Sequence, residues 1–162
     1  FNVRKTEELL MAAIYLPQGS VLFIDNSTSG AATWQKITEH NRSPISMDTE
    51  RFEKAQRMSN GTLRKIFIAD KKTFNTAWSM LPSYSTMTVD GGWGAEDIRS
   101  FYHSAKGQGA FKVKIAYSAA RTEEFTVSFT ACNFTIVKRN VKAKTSDAAQ
   151  EFWDVNIALE EV

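Results

Sequence analysis

Apolar residues along this chain recur mostly at every second position, the period of a strand with one buried face. The clearest case sets Phe111, Val113, Ile115 and Tyr117 against Lys112, Lys114 and Ala116. Ser118 to Thr122 reads as a short turn. Phe125, Val127, Phe129 and Ala131 then alternate with Thr126, Ser128 and Thr130. The phase flips afterwards, because Phe134 and Ile136 are apolar where polar residues are due. One extra residue near Cys132-Asn133 predicts a β-bulge. Lys138–Gln150 reads as a basic-to-polar loop, and Trp153, Val155, Ile157 and Leu159 predict a final strand.

The earlier half is less regular. Ala12–Leu16 reads as a short strand. Val21–Ile24 is apolar on both faces and predicts a strand covered from both sides. Trp34 and Ile37 suit another short strand. From Ile45 and Met47 the alternation continues through Thr49, Arg51 and Glu53 to Gln56 while its hydrophobicity fades. That pattern fits a strand leaving the core to meet a partner chain, and equally a solvated strand end. Asn60-Gly61 is a tight-turn dipeptide. Beyond it, Leu63–Ala69 and Phe74–Met80 read as two strands joined by a turn at Asp70-Lys71-Lys72, with Pro82 ending the second.

One helix is predicted, over about residues 95–106. Ile98, Phe101, Tyr102 and Ala105 share one face, Glu96 and Asp97 suit its N-terminus, and Gly107 is expected to stop it in a left-handed conformation. Residues 1–11 read as an N-terminal arm and residues 12–162 as a single β-rich domain. The expected fold class is mostly β with one α-helix, a β-sandwich or flattened barrel flanked by the helix.

Composition supports a packed core. Hydrophobic residues make up 43% of the 162 positions, with eleven Phe and four Trp. A chain of this length buries roughly two thirds of its unfolded surface. Twenty basic residues nearly balance eighteen acidic ones, so the strong basic excess of a dedicated nucleic-acid binder is missing. No stretch approaches the roughly 20 apolar residues of a membrane-spanning helix. The single Cys132 lies in an apolar run and reads as a buried, unreactive thiol. Four Asn-X-Ser/Thr sequons, at Asn26, Asn41, Asn60 and Asn133, read as products of a Ser/Thr-rich composition.

Candidate chemistry is sparse. His40 and His103 have no second His, Cys or carboxylate at ligand spacing, so no metal site is expected. There is no Gly-x-Ser-x-Gly elbow and no Walker-type phosphate loop. Asp90, Glu96 and Asp97 suit a turn and a helix start better than an acid–base pair. Gly91-Gly92-Trp93-Gly94 precedes the helix, but the acids behind it disfavour an anion. No catalytic or cofactor-binding residue is assigned. Trp34, Trp78, Trp93 and Trp153 leave open a second reading, a carbohydrate- or partner-binding β-sandwich, although Trp78 and Trp153 continue apolar strand faces.

One series of segments carries a resemblance. It comprises Arg57-Met58-Ser59-Asn60-Gly61-Thr62-Leu63-Arg64-Lys65, Ile68-Ala69-Asp70-Lys71-Lys72 and Trp78-Ser79-Met80-Leu81-Pro82. It continues through Val89-Asp90-Gly91-Gly92-Trp93-Gly94 and Ile98-Arg99-Ser100-Phe101-Tyr102 to Leu159-Glu160-Glu161-Val162. Over roughly residues 45–162 this order resembles tail structural proteins of tailed bacteriophages, of the tail-tube and distal-tail type. The resemblance implies a non-enzymatic virion protein, made in the host cytoplasm. It would assemble with copies of itself into rings, commonly hexameric, and with other tail proteins. The ring would surround a channel through which DNA passes without sequence-specific binding, with no cofactor and no membrane. The arm 1–11, the fading strand Ile45–Gln56 and the loop Lys138–Gln150 become the expected inter-subunit elements. Arg51, Arg57, Arg64, Lys138, Arg139, Lys142 and Lys144 are the candidate contacts. An acidic channel face, frequent in such tubes, is not identifiable.

Overall fold

The computed structural model describes residues 21–142 and 149–162. The predicted arm 1–11, the predicted strand Ala12–Leu16 and the candidate Lys144 lie outside the described residues. The fold is mostly β, as expected. Seven strands form one antiparallel sheet: β1 (Val21–Asp25), β2 (Trp34–Lys36), β3 (Ser46–Arg57), β4 (Leu63–Pro82), β5 (Phe111–Ala116), β6 (Thr122–Lys142) and β7 (Ala149–Glu161). Their spatial order is β2-β1-β5-β6-β7-β4-β3. The sheet is rolled, because Leu22 of β1, Val113 and Ile115 of β5, Ile157 and Leu159 of β7 and Phe74 of β4 line one narrow interior space.

The rolled face holds the core. Alternation places Phe111, Val113 and Ile115 inside with Val155, Ile157 and Leu159, each nearly inaccessible to solvent. The helical segment covers the sheet where it opens. Phe101 meets Phe111 edge-on with ring centroids 5.1 Å apart, and Tyr102 meets Phe129 at 5.1 Å. This segment is α1 (Ala95–His103), broken at Ser104 from a single turn, α2 (Ala105–Gln108). The predicted helix is therefore split near its end. The Ser104 hydroxyl donates to the Phe101 carbonyl at 2.6 Å and accepts from the Gly107 N–H at 3.1 Å, which makes Ser104 a local cap.

Gly107 is needed for a different reason from the one expected. It lies inside α2 and has no left-handed torsion; a Cβ there would stand 2.0 Å from the Phe101 carbonyl oxygen. Three further expectations change. Leu63–Pro82 is one continuous strand, so Asp70-Lys71-Lys72 is not a turn. Lys72 crosses this stretch in extended conformation with its ammonium 5.0 Å above the Phe125 ring. The register shift in β6 falls between Phe129 and Ala131, slightly before the predicted Cys132-Asn133 bulge. Cys132 then pairs with Ile157 and keeps its inward face. The described parts of Lys138–Gln150 are strand: β6 and β7 remain paired out to Lys142 and Ala149.

Candidate assembly surface

The sheet has two kinds of region. β7 accompanies β4 only from Thr73 to Pro82. From Glu50 to Arg57 on β3, and from Leu63 to Lys71 on β4, the two strands have only each other among the described residues. Eight residues at ~3.4 Å each give a two-stranded ribbon projecting about 27 Å. All residues from Asp48 to Ile68 are exposed. Asn60-Gly61 closes the tip as predicted. Gly61 takes φ +85°, the Met58 N–H donates to Thr62 O at 2.8 Å, and the Arg57 guanidinium donates to Gly61 O at 3.0 Å.

This ribbon is apolar without having a core. Ile66 is 63% exposed, Phe67 61% and Ile68 67%, with Phe52, Met58 and Leu63 also open to solvent. The register separates its two faces. One face carries Arg51, Glu53, Lys65 and Phe67, and its charges are matched. Arg51 donates to both Asp70 oxygens at 2.9 and 3.1 Å, and Lys65 lies 3.3 Å from Glu53. The Arg51 hydrogen bond holds the Asp70 carboxyl below its ordinary range. The other face continues the outer surface of the sheet and carries Phe52, Lys54, Ile66 and Arg64. Among the described residues, no ion pair engages Lys54 or Arg64.

The ribbon is anchored at its foot. The Lys71 ammonium donates to Val162 O at 2.7 Å, and the Lys72 N–H donates to the Glu161 carboxylate at 3.1 Å. The far end of the sheet projects the other way. There β6 and β7 run past Pro82, the last paired residue of β4, and Ile136 and Val137 are exposed beside Lys138 and Arg139.

Among the described residues, two strand edges, one on each side of the strand group β6-β7-β4-β3, have no strand beside them. The outer edge of β3 has no neighbouring strand. β6 pairs with β5 only up to Val127, so its 128–142 edge on that side has none either. Such edges present rows of main-chain donors and acceptors to any chain that can pair with them. The face between these edges is formed by β6, β7 and β4. It exposes Asn133, Thr135, Asn156, Asn75 and Ser79, with Asp154 among them and no basic residue on β7.

The sequence-predicted contacts therefore fall into two groups at opposite ends. Arg51, Arg57 and Arg64 lie on the ribbon. Lys138, Arg139 and Lys142 lie on the β6–β7 extension, where Lys138 stands opposite Phe152 and Lys142 opposite Ala149. The apolar residues exposed on the ribbon were not among the predicted contacts. Their signal was the run Ile66-Phe67-Ile68, apolar on both faces at the end of a strand that had lost its partners.

The remaining polar groups stabilise loops. Asp90 accepts from the Thr38 hydroxyl at 2.7 Å and from the Glu39 and Gly92 N–H groups, and lies 3.2 Å from the Lys36 ammonium. Burial alone would raise its carboxyl; these donors outweigh burial and hold it below the ordinary range. Asp25 is similar. Burial opposes its charge, yet Ser27, Lys106 and the Thr33 N–H lower it. Glu39, beside Arg42 in the segment between β2 and β3, is raised by its own burial. Burial pushes the Cys132 thiol up to about 12, which keeps it protonated and unreactive. Trp78 and Trp153 are core residues, and the face of Trp34 is covered by the Lys114 ammonium at 4.7 Å. No group of three or more His, Cys, Asp or Glu among the described residues could hold a metal. No helix among them is long and apolar enough to cross a membrane.

No family model matches the sequence, and no curated protein does. A solved structure does match in fold. It is a chain described as the tail of an empty GTA particle, computed with helical refinement in C6 symmetry. The TM-score is 0.52 at 8% identity, covering 87% of this chain and 90% of that one. This chain therefore shares its fold with a protein of a particle tail.

Proposed function

We propose that the chain is a non-enzymatic structural protein of a phage-type tail. It assembles with copies of itself into rings or a tube around a channel for DNA. The observation that carries this reading is the pair of open edges, β3 and β6, on opposite sides of the strand group β6-β7-β4-β3. Four strands separate one junction from the next. Adjacent strands alternate in direction, so β3 of one copy meets β6 of a rotated neighbour in antiparallel orientation. Every copy can repeat the same junction, and heterologous contacts of this kind close into a ring when the rotation permits. The stagger between the ribbon at one end and the β6–β7 extension at the other suits strands tilted in a closed barrel. The sixfold symmetry of the particle tail with the similar fold supports a hexameric ring.

In such a ring the inner side of the sheet is occupied by its own core and α1. The outer face of β6, β7 and β4 is then free to line the channel. Its small amide and hydroxyl side chains, with Asp154 and no basic residue on β7, give a phosphate backbone little to grip there, and the basic Lys54 and Arg64 of the same outer surface lie out on the ribbon. The ribbons and the oppositely directed β6–β7 extensions would link one ring to the next. Arg51, Arg57 and Arg64 would act in the first contact, and Lys138, Arg139 and Lys142 in the second. The finished protein would reside in the virion tail.

Sedimentation and electron microscopy of the concentrated, purified chain test this. Rings or tubes are the expected result. A chain that stays monomeric at all concentrations, and that does not enter particles when the other tail proteins are supplied, would rule the reading out.

A further inference from the structure

We infer that Asn60 is a site of spontaneous deamidation, which makes the ribbon tip a chemical record of time spent unassembled. Asn60 is the one Asn in the sequence followed by Gly, and both residues are exposed at the tip of the ribbon. The reaction needs the main-chain nitrogen of the following residue to reach the Asn side-chain carbon. A glycine presents no Cβ to obstruct that approach, and the surroundings of Gly61 are empty: a Cβ there would find nothing within 4 Å.

The Gly61 nitrogen attacks Cγ of Asn60, and the bond from Cγ to the amide nitrogen breaks. Ammonia leaves with the proton lost from the Gly61 nitrogen, and a five-membered succinimide remains. Water then opens either carbonyl of that ring and yields aspartate or isoaspartate. The turn restrains this chemistry only through local bonds. The Gly61 N–H donates to Met58 O at 2.9 Å, and Asn60 Oδ1 accepts from the Thr62 N–H at 3.1 Å. Among the described residues nothing outside the ribbon packs on them, so a local opening suffices to release both groups.

The product matters at this location. From residue 54 to residue 65 the tip carries Lys54, Arg57, Arg64 and Lys65 and no acid. A new carboxylate would stand beside the Arg57 guanidinium, which now binds Gly61 O. Isoaspartate would also lengthen the turn backbone by one carbon. If the ribbon is buried between copies, as the assembly reading on which this part rests requires, assembled subunits keep the amide and idle ones lose it.

Trypsin cuts after Arg57 and Arg64, so the site is released in the peptide Met58–Arg64. The purified chain is incubated in mildly alkaline buffer and digested, and this peptide is followed by mass spectrometry and isoaspartyl labelling. Both acid forms are expected to accumulate there, while peptides holding Asn133 and Asn156 stay amidated. Gly61→Ala should suppress the conversion. If the folded chain keeps its amide under conditions where the urea-unfolded chain converts, the turn protects the site and the inference fails. Sizing the same samples separates the two readings: conversion without any oligomer upholds the site and counts against assembly. Equal conversion in rings and in free chains overturns the record of assembly.

Discussion

One strand, β4, passes through two environments. From Thr73 to Pro82 it pairs with β7, with β3 on its other side as far as Asn75 and the 41–43 segment beside Ala77–Ser79, and Phe74, Trp78 and Leu81 are 3%, 2% and 0% exposed. From Leu63 to Ile68 it lies against β3 alone, and each of its apolar residues is open to solvent. The side chains are similar in kind. What differs is a second neighbouring strand and a layer of structure to pack on. Isolated two-stranded ribbons are marginally stable in water, and contiguous exposed apolar surface usually marks an interaction site. The body packs within one chain, whereas the ribbon is the part for which we propose a complement in other copies.

The largest effect should come from the body. The Trp78 indole is buried and its N–H donates to Thr38 O at 2.8 Å, which ties β4 to the segment crossing from β2 to β3. Trp78→Ala is expected to cost about 3–5 kcal/mol in denaturant unfolding. A cost below about 1 kcal/mol, within the range of ordinary surface changes, would mean that body and ribbon do not differ as described. Gly107→Ala should follow, at about 1–3 kcal/mol, because its Cβ would be driven into the Phe101 carbonyl and the break between α1 and α2 would have to move. A thermal midpoint equal to that of the parent chain would contradict that close approach.

The pattern of period two disclosed most of the body because every second residue there meets the core. It failed where partners are distant in sequence. Lys71 and Lys72 read as a turn, yet they are satisfied by Val162, Glu161 and Phe125, some 50 to 90 residues away along the chain. Lys138–Gln150 read as a loop because strands that outrun their core lose the alternation that marks them. Buried Glu39 and Arg42 gave no signal, since charged residues in a polar stretch look solvated until the chain is folded over them. The two projecting ends, where we propose that copies meet, were half legible. The fading strand Ile45–Gln56 was visible as an element leaving the core, and β3 does leave it. The predicted basic contacts marked both projecting ends but missed Ile66, Phe67 and Ile68.

Acid should separate the regions more gently. Asp25 and Asp90 have folded pKa values lowered below the unfolded value of about 3.9. Their contribution is fully present above that value and is lost as pH falls through the lower folded values. Glu39, raised by burial, acts in the opposite sense: its contribution is present below its unfolded pKa and fades as pH rises through the folded one. The two aspartates, with four charge-stabilising contacts or more each, should dominate, so the thermal midpoint should drop below about pH 4. Asp90→Asn should flatten part of that drop. A chain whose midpoint is level from pH 6 to strongly acid conditions would show that these carboxylates do not hold their loops.

The smallest effect on stability should come from the ribbon, and it discriminates best. In Ile66→Ser with Phe67→Ser, both side chains leave solvent-exposed positions, so nothing in the body loses a contact. The unfolding free energy of the isolated chain should change by no more than about 0.5 kcal/mol. The same pair of changes should abolish rings or tubes by sedimentation, because the apolar anchors of an association are the residues whose loss it cannot absorb. If instead the isolated chain is clearly destabilised, the ribbon is packed within its own molecule. If stability and oligomers both survive, the apolar ribbon is not where copies meet, and the difference between the two halves of β4 has no bearing on assembly.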